Sequence, residues 1–329
     1  MTDTVLITGA AGFIGYHHSK RLLETTDARV VGFDNLNDYY DVGLKLDRLK
    51  QLAAFGERFT FLQGDLADPA AVEDAFAKFA PDIAVNLAAQ AGVRYSLDHP
   101  RAYMEANVMG FFNLLEAVRA HPVKHLVYAS SSSVYGNQQK TPFCVDDPVD
   151  HPISLYAATK KCDELIAYSY AHLYGIPATG VRFFTVYGPF GRPDMAYFKF
   201  ANKICAGQTI DVYNHGDLQR DFTYIDDIVT GLVAMLAAPP QPDEGGARHR
   251  VYNLGNSAPV PLMHFIATLE NALGRKADIR YLPMQKGDVY QTYADVRDTQ
   301  RDFGFAPSTP ISVGLPLFAE WYKAYYGVE

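Results

Sequence analysis

Strand-length apolar runs alternate with amphipathic stretches over the first 180 residues of the chain. Between the runs, apolar positions recur every three or four residues, which is typical of helices that pack on a core. Strands that alternate with helices predict an α/β fold, a Rossmann-type doubly wound parallel sheet with ligands at the carboxyl ends of its strands. The predicted strands are 5–8, 30–33, 59–65, 83–89, 125–129 and 178–183, and the helices between them include 17–23, 70–79 and 103–119.

The alternation becomes less regular after residue 180. We therefore predict a first, cofactor-binding domain over residues 1–180, to which segments near 219–258 return, and a smaller substrate-binding region over 181–329 that covers the crevice of the sheet. The elements predicted in the second part are helices at 198–206, 220–237, 262–273 and 315–325, and a strand at 251–255.

The composition is that of a globular protein. With 329 residues, of which 48% are apolar, the chain can bury a full core. The formal net charge is -8 and the lysines and arginines are scattered, which argues against nucleic acid or an anionic membrane as a partner. No apolar run approaches the roughly 18 residues of a membrane span. Cys144, Cys162 and Cys205 have neither metal-ligand nor CxxC spacing, so we expect reduced thiols, no metal site and a cytoplasmic location.

A glycine-rich turn directly follows the first predicted strand and precedes a helix. Glycines allow the backbone to approach a pyrophosphate, and the helix N-terminus offers it N–H groups and the positive end of a dipole. Asp34 ends the second strand about 20 residues later, where a carboxylate accepts the ribose hydroxyls of adenosine and repels a 2′-phosphate. The pattern favours NAD over NADP, although Asp34 could instead only cap the next segment. The turn residues predicted to contact NAD are Gly9, Ala11, Gly12, Phe13, Ile14 and Gly15.

Further cofactor contacts are expected at the ends of the next strands. Asp65 and Leu66 follow the third strand, where they could flank an adenine ring. Asn107 lies inside a predicted helix, where an asparagine has either a functional role or a solvated or locally bonded side chain. The remaining predicted cofactor contacts are Asn35, Leu87, Ala88, Ala89, Tyr156 and Lys160.

Tyr156 and Lys160 are four residues apart, which on a helix places both side chains on one face. An ammonium group there favours phenolate over phenol and makes Tyr156 a candidate general base. Serines 130–133 end the fifth strand, and a hydroxyl near the phenol can relay a proton, with Ser131 as our choice. The alternatives are a core tyrosine beside a solvated lysine, and a flexible serine loop. With a nicotinamide, this set predicts oxidation of a secondary alcohol as the first chemical step.

Together these motifs resemble the extended short-chain dehydrogenase/reductase family, whose members act on nucleotide sugars. The members that interconvert UDP-glucuronate and UDP-galacturonate are the most similar, notably in residues 37–41, 88–96, 156–161, 183–189 and 191–195. The resemblance implies that the sugar 4-hydroxyl is oxidised, that the 4-keto sugar rotates, and that the same NAD returns the hydride to the opposite face. Epimerisation of UDP-glucose and UDP-galactose is the alternative, followed by UDP-glucuronate decarboxylation and by a non-catalytic NAD-binding regulator. The segments that carry the resemblance are 9–15, 34, 86–89, 131, 156–160 and 220–227.

The resemblance also implies substrate contacts. Arg192 is expected near the uronate carboxylate, Arg220 at the diphosphate and Asp288 at the uridine ribose, although Arg192 could be a surface residue and Asp288 an ordinary turn residue. Related dehydratases carry an Asp-Glu pair, and related decarboxylases a Glu, where this chain has serines, so epimerisation is favoured. A homodimer is implied, through the helices that contain Asn107 and Tyr156. The full set of predicted substrate contacts is Arg94, Ser131, Ser132, Ser133, Tyr156, Thr185, Arg192, Arg220 and Asp288.

Overall fold

Seven parallel strands form the central sheet of the protein, which a computed structural model describes over residues 3–285 and 287–328. The predicted Rossmann-type doubly wound sheet is thereby confirmed. The strands, numbered along the chain, are β1 (Thr4–Thr8), β2 (Arg29–Asp34), β3 (Phe59–Gln63), β4 (Ile83–Asn86), β5 (His125–Ser131), β6 (Ala178–Phe183), β7 (Thr185–Tyr187), β8 (Ile210–Val212), β9 (Gln219–Tyr224), β10 (His249–Leu254), β11 (Pro259–Pro261) and β12 (Ile279–Tyr281).

The order of the central sheet is β10-β6-β5-β4-β1-β2-β3. Every neighbouring pair is parallel, so all carboxyl ends meet at one edge. From β1 the chain first moves outward to β2 and β3 and then returns to β4 on the other side of β1. The crevice at this reversal is where open α/β sheets bind their ligands.

Helices cover both faces of the sheet and connect the smaller sheets. Helix α7 begins at a serine cap, where the Ser154 Oγ accepts a hydrogen bond from the backbone N–H of Ala157 (3.1 Å), and ends before Gly175 in the left-handed conformation (φ 70°). The helices are α1 (Phe13–Thr25), α2 (Val42–Ala53), α3 (Pro69–Phe79), α4 (Tyr95–Asp98), α5 (Pro100–Tyr103), α6 (Gly110–Ala120), α7 (Leu155–Tyr174), α8 (Ala196–Cys205), α9 (Ile225–Leu236), α10 (Leu262–Leu273), α11 (Arg297–Phe303) and α12 (Ile311–Tyr326).

Two predicted helices differ from the structure. The continuous helix expected over 103–119 is divided, because a π-helical turn, Met104–Met109, lies between α5 and α6. The predicted start of the next helix, at residue 220, was also wrong. Residues Gln219–Tyr224 form β9, which pairs with β7 and β11, and helix α9 begins only at Ile225 with Asp226 and Asp227 in its first turn. Acidic residues favour a helix N-terminus, so the signal was real but marked a later position.

Two small sheets and helices α10 and α12 build the part of the molecule beyond the central sheet. The sheets have the orders β11-β9-β7 and β12-β8. Phe222 of β9 and Phe265 of α10 stack with their ring centroids 3.9 Å apart in this core. Strand β10 pairs in parallel with β6, as expected for a segment that returns to the sheet, whereas the domain boundary near residue 180 stays a prediction. Within the described residues, the structure contains no helix of the length and apolar character needed to cross a membrane.

Candidate active site

A cavity of about 1140 Å³ lies at the carboxyl ends of the central strands, between the sheet and the small sheets. It is lined by the predicted site residues, with two exceptions, Ala11 and Asn107. The structure therefore brings the sequence candidates to one place, although their roles remain predictions. The predicted residues on its wall are Gly9, Gly12, Phe13, Ile14, Gly15, Asp34, Asn35, Asp65, Leu66, Leu87, Ala88, Ala89, Arg94, Ser131, Ser132, Ser133, Tyr156, Lys160, Thr185, Arg192, Arg220 and Asp288.

The glycine turn, residues 9–15, connects β1 to α1 so closely that larger side chains do not fit. A Cβ on Gly15 would lie 2.1 Å from the carbonyl oxygen of Gly9, and one on Gly9 would lie 2.7 Å from the backbone nitrogen of Ala88. Gly9 also has a positive φ of 68°. The N-terminus of α1 has no side-chain cap, which leaves its first N–H groups available to an anion.

Asp34 is buried at the end of β2 and holds the turn. Its Oδ2 accepts a hydrogen bond from the backbone N–H of Ala11 (3.0 Å), and its Oδ1 accepts one from Leu36 (2.9 Å). This explains the position of Ala11, which lies behind the cavity wall and shapes the turn through its backbone. A carboxylate can accept about four hydrogen bonds, so Asp34 still has acceptor capacity for ribose hydroxyls. Nearby, the Asn35 side chain donates to Asp65 (2.9 Å).

Tyr156 and Lys160 lie in the first turns of α7, as predicted. The ring of Tyr156 packs edge-on against Tyr103, with centroids 6.0 Å apart. Lys160 is buried, and its Nζ donates to the carbonyl of Ala129 at the end of β5 (3.0 Å) and to Asp163 (3.1 Å). An ammonium group has three N–H donors, so one remains for a ligand. The lysine is therefore oriented, rather than solvated as the alternative interpretation supposed.

Asp163 is a site neighbour that the sequence analysis missed. It follows Lys160 by three residues on α7 and is 1% exposed. Burial raises the pKa of Asp163 to about 6, against the opposing effect of the Lys160 ammonium. Its Oδ1 is buried without a hydrogen-bond partner among the described residues. The signal that could have found it is the three-residue spacing, which places a carboxylate beside the lysine on a helix.

All four serines of residues 130–133 line the cavity, and two of them are held by hydrogen bonds. Ser131 lies on the cavity wall, and its Oγ accepts a hydrogen bond from the backbone N–H of Ser133 (3.1 Å). The Ser130 hydroxyl donates to the buried Glu164 (2.6 Å), which also forms a bidentate ion pair with Arg182 (2.8 and 2.9 Å). The segment is therefore anchored, and the flexible-loop alternative does not hold for residues that begin in β5.

Arg192 lies half-buried on the cavity wall and already has a partner. Its Nε and Nη2 donate to the two oxygens of Asp194 (3.0 and 2.5 Å). Asp194 also accepts from the phenol of Tyr39 (3.2 Å). Burial alone would raise the pKa of Asp194, but the Arg192 guanidinium outweighs it and the net pKa is lowered. Arg192 is thus not a free surface residue, and the Arg-x-Asp spacing is the signal that the sequence analysis overlooked.

The far end of the cavity has a second group of charges. Arg94 pairs with Asp288 (3.2 Å) and lies over the ring of Tyr213, with 4.9 Å from the guanidinium carbon to the ring centroid. Arg220 donates to the backbone carbonyl of Tyr290 (3.0 Å), and burial lowers its pKa. The guanidinium groups of Arg94 and Arg220 both line the cavity here and can donate to an anionic ligand group.

Asn107 lies behind the cavity wall and connects two of the elements that form it. It lies in the π-helical turn and is 1% exposed. Its Oδ1 accepts from the backbone N–H of Gln90 (2.8 Å), while its Nδ2 donates to the carbonyl of Gln90 (3.0 Å) and to the Thr159 hydroxyl (3.0 Å). The side chain is therefore neither solvated nor on the cavity wall. It fastens the loop after β4 to the helix that carries Tyr156.

The sheet order, the glycine turn and the Tyr156 helix define a dinucleotide-binding Rossmann protein of the short-chain dehydrogenase/reductase type. Residues 5–255 match the NAD dependent epimerase/dehydratase family, and the chain belongs to this family.

Individual relatives match over almost the whole length. A probable UDP-glucuronate 4-epimerase of Rhizobium meliloti is 47% identical over 333 residues, which cover 98% of this chain and 97% of that protein. Protein CapI of Staphylococcus aureus is 50% identical over 333 residues, covering 98% and 99%. The crystal structure of UDP-glucuronic acid 4-epimerase from Bacillus cereus, in complex with UDP-glucuronic acid and NAD, is similar with a TM-score of 0.89 and 31% identity, covering 98% of this chain and 100% of that one.

Proposed function

We propose that the protein catalyses the NAD-dependent 4-epimerisation of UDP-glucuronate to UDP-galacturonate, through a transient 4-keto intermediate and without decarboxylation. The observation that carries this proposal is a single cavity whose wall includes Tyr156, the hydroxyls of Ser131 and Thr185, and the guanidinium of Arg192. A general base and a carboxylate-binding fork then face the same bound sugar. The full-length similarity to proteins of this named activity supports the same conclusion.

The residues of the cofactor half fit NAD. The uncapped N-terminus of α1 suits a pyrophosphate, and Asp34 at the end of β2 suits an adenosine ribose without a 2′-phosphate. When bound, the cofactor supplies a hydride acceptor that returns the hydride within the same catalytic cycle. Since no net oxidation occurs, NAD should stay bound between turnovers.

The proton is handled by the chain itself. Tyr156 takes the proton of the sugar 4-hydroxyl and, after the keto sugar has rotated and its opposite face has received the hydride, returns the proton to the 4-oxygen. Ser131, whose hydroxyl lies on the same wall, relays that proton. The third N–H of Lys160 is available to the bound ligand, while the Ala129 carbonyl and Asp163 fix the lysine in place.

The carboxylate requires a restraint of its own. A 4-keto uronate is a β-keto acid, which loses CO2 when its bond from C5 to the carboxylate stands parallel to the carbonyl π system. Arg192, the three serines and Thr185 would hold the carboxylate away from that alignment by hydrogen bonds. Serines occupy positions 132 and 133, so an acidic group that could assist elimination is missing there.

The nucleotide occupies the other end of the cavity in this proposal. Arg220 binds the diphosphate, Asp288 accepts from the uridine ribose, and Arg94 supports both through its pair with Asp288. The guanidinium groups at this end and the fork at Arg192 match the two anionic parts of a UDP-uronate.

The proposal is tested by incubating the purified protein with UDP-glucuronate, without added NAD, and following the products by NMR. UDP-galacturonate with little CO2 supports both the reaction and a retained cofactor. Formation of a UDP-pentose would favour the decarboxylase alternative. If only UDP-glucose is converted, the enzyme is instead a UDP-glucose/galactose 4-epimerase.

We expect a homodimer through α7, which contains Tyr156, and the helical stretch that contains Asn107 and continues into α6. Large apolar side chains are exposed on this side of the molecule, as far as the described residues go, and an apolar patch of this kind is typical of an interface. Sedimentation should give a dimer, and Leu165→Glu should convert it to a monomer. The exposed side chains include Met104, Met109, Phe112, Leu165 and Leu173.

We also expect a cytoplasmic location, in line with three unpaired cysteines.

A further inference from the structure

Arg48 of α2 is a fully buried arginine, with 0% of its surface exposed. A guanidinium has five N–H donors, and five hydrogen bonds are present. Nη1 donates to the carbonyl of Ala11 (2.8 Å) and to the hydroxyl of Tyr40 (2.7 Å). Nε and Nη2 both donate to the carbonyl of Phe190 (3.2 and 2.6 Å), and Nη2 also donates to that of Gly191 (3.0 Å). The side chain is thus satisfied by neutral oxygens alone.

This arrangement is unusual because no carboxylate in the described part of the chain pairs with Arg48. Burying a charge without a counter-ion is costly, and an apolar residue could fill the same space with less penalty. What Arg48 provides is a connection between two distant stretches. Ala11 belongs to the glycine turn, whereas Phe190 and Gly191 belong to residues 189–194, here named the Arg192 segment.

The Arg192 segment depends on such a connection for its shape. Phe190 has a positive φ of 53°, a conformation that a bulky residue adopts only when its surroundings enforce it. The preceding carbonyl, that of Pro189, contacts the His17 ring nitrogen of α1 at 2.8 Å. Arg192 follows within two residues of Phe190. The backbone that orients Arg192 is therefore held from the cofactor half.

We propose that Arg48 is a positioning residue that couples the glycine turn to the Arg192 segment, so that NAD retention and the placement of Arg192 depend on the same side chain. Its uncompensated positive charge also lies directly behind the turn where the pyrophosphate of the cofactor would bind. The part of this inference that concerns the uronate rests on the proposed function; the coupling itself does not.

The test compares Arg48→Met and Arg48→Lys with the control Arg58→Met. Arg58 also donates to two backbone carbonyls, those of Thr26 (2.9 Å) and Leu23 (2.5 Å), but at the far end of α1. Hydrogen exchange of residues 189–194 is measured by mass spectrometry with NAD in excess. Bound NAD is then quantified after gel filtration, and products from UDP-glucuronate are separated into epimer and UDP-pentose.

In Arg48→Met we expect exchange of the Arg192 segment to be at least about tenfold faster, since charge-assisted hydrogen bonds to its carbonyls are lost. Retained NAD should fall and the UDP-pentose share should rise several-fold. Arg48→Lys keeps the charge but reaches fewer carbonyls, so its values should lie between those of the unmodified protein and those of Arg48→Met. It serves as the test variant if Arg48→Met does not fold. Arg58→Met should change none of these values, even if its melting temperature falls.

Unchanged exchange in the Arg192 segment of the Arg48 variants would overturn the proposal. So would equal changes in Arg58→Met, since these would point to a general loss of stability. The exchange and NAD measurements need no sugar nucleotide. They therefore judge Arg48 even if the unmodified protein fails to convert UDP-glucuronate, which would contradict the proposed function alone.

Discussion

Replacing Arg192 with methionine is the perturbation that most directly probes how a keto acid could be handled without decarboxylation. The guanidinium has five N–H donors, of which two point at Asp194, so three remain for a substrate carboxylate. Hydrogen bonds to charged groups contribute about 1.5–3 kcal/mol. We therefore expect kcat/KM for UDP-glucuronate to fall about 10- to 150-fold, with part of the remaining turnover diverted to CO2 and UDP-pentose.

The single variant also leaves Asp194 without the neutralising guanidinium, although Tyr39 still donates to it, and near the proposed position of the substrate carboxylate. Two like charges about 10 Å apart cost roughly 1–2 kcal/mol at an effective dielectric constant of about 20. The double variant Arg192→Met/Asp194→Asn removes this repulsion and should recover about tenfold in kcat/KM. It should not restore the ratio of epimer to UDP-pentose, because the Arg192 guanidinium is still missing.

The assay follows UDP-glucuronate labelled in its carboxylate carbon, and NMR separates labelled epimer from labelled CO2. Lys199→Met is the matched control, since Lys199 is an exposed cation on the same cavity wall that forms no fork with Asp194. It should change kcat/KM only slightly and leave the product ratio unchanged. An unaltered product ratio and unaltered uronate affinity in Arg192→Met would refute the proposed restraint of the carboxylate by Arg192.

Three further predictions concern the base, the cofactor turn and stability. Tyr156→Phe should lower turnover by at least about a hundredfold while NAD stays bound, measured by kinetics and by absorbance of the purified protein; normal activity would remove Tyr156 from the mechanism. Gly15→Ala should yield protein without NAD, because the new Cβ would lie 2.1 Å from the Gly9 carbonyl oxygen; full retention would show that the turn adapts. His18 is buried with both ring nitrogens unpartnered among the described residues, and burial lowers its pKa to about 3. The unfolded chain takes up that proton near pH 6.5, so His18 should cost about 1.4 kcal/mol per pH unit as pH falls from 6.5 toward 3, and His18→Leu should flatten this loss in urea titrations; parallel curves would contradict the assignment.

Several features of the site followed from the sequence because they depend on local spacing. The glycine turn must lie between a strand and a helix, Asp34 must end the next strand, and Tyr156 and Lys160 share a face because a helix repeats every 3.6 residues. The central sheet followed in the same way, since alternating strands and helices admit few other arrangements. At residues 220–224, where the sequence predicted a helix, the chain instead forms part of a strand that pairs with β7 and β11.

Other features depend on which residues meet across long stretches of chain, and these only the tertiary structure decided. The sequence left Asn107 as a functional, solvated or locally bonded side chain of a helix, whereas packing makes it the link between Gln90 and Thr159, 17 and 52 positions away. Nothing in the local sequence singles out Arg48, yet its side chain contacts Phe190, 142 positions away. Periodicity determines which face of an element is buried, whereas the partner on that face is set by how the elements pack. For this reason the sequence predicted the chemistry of the site, while the structure alone identified the residues that hold it in place.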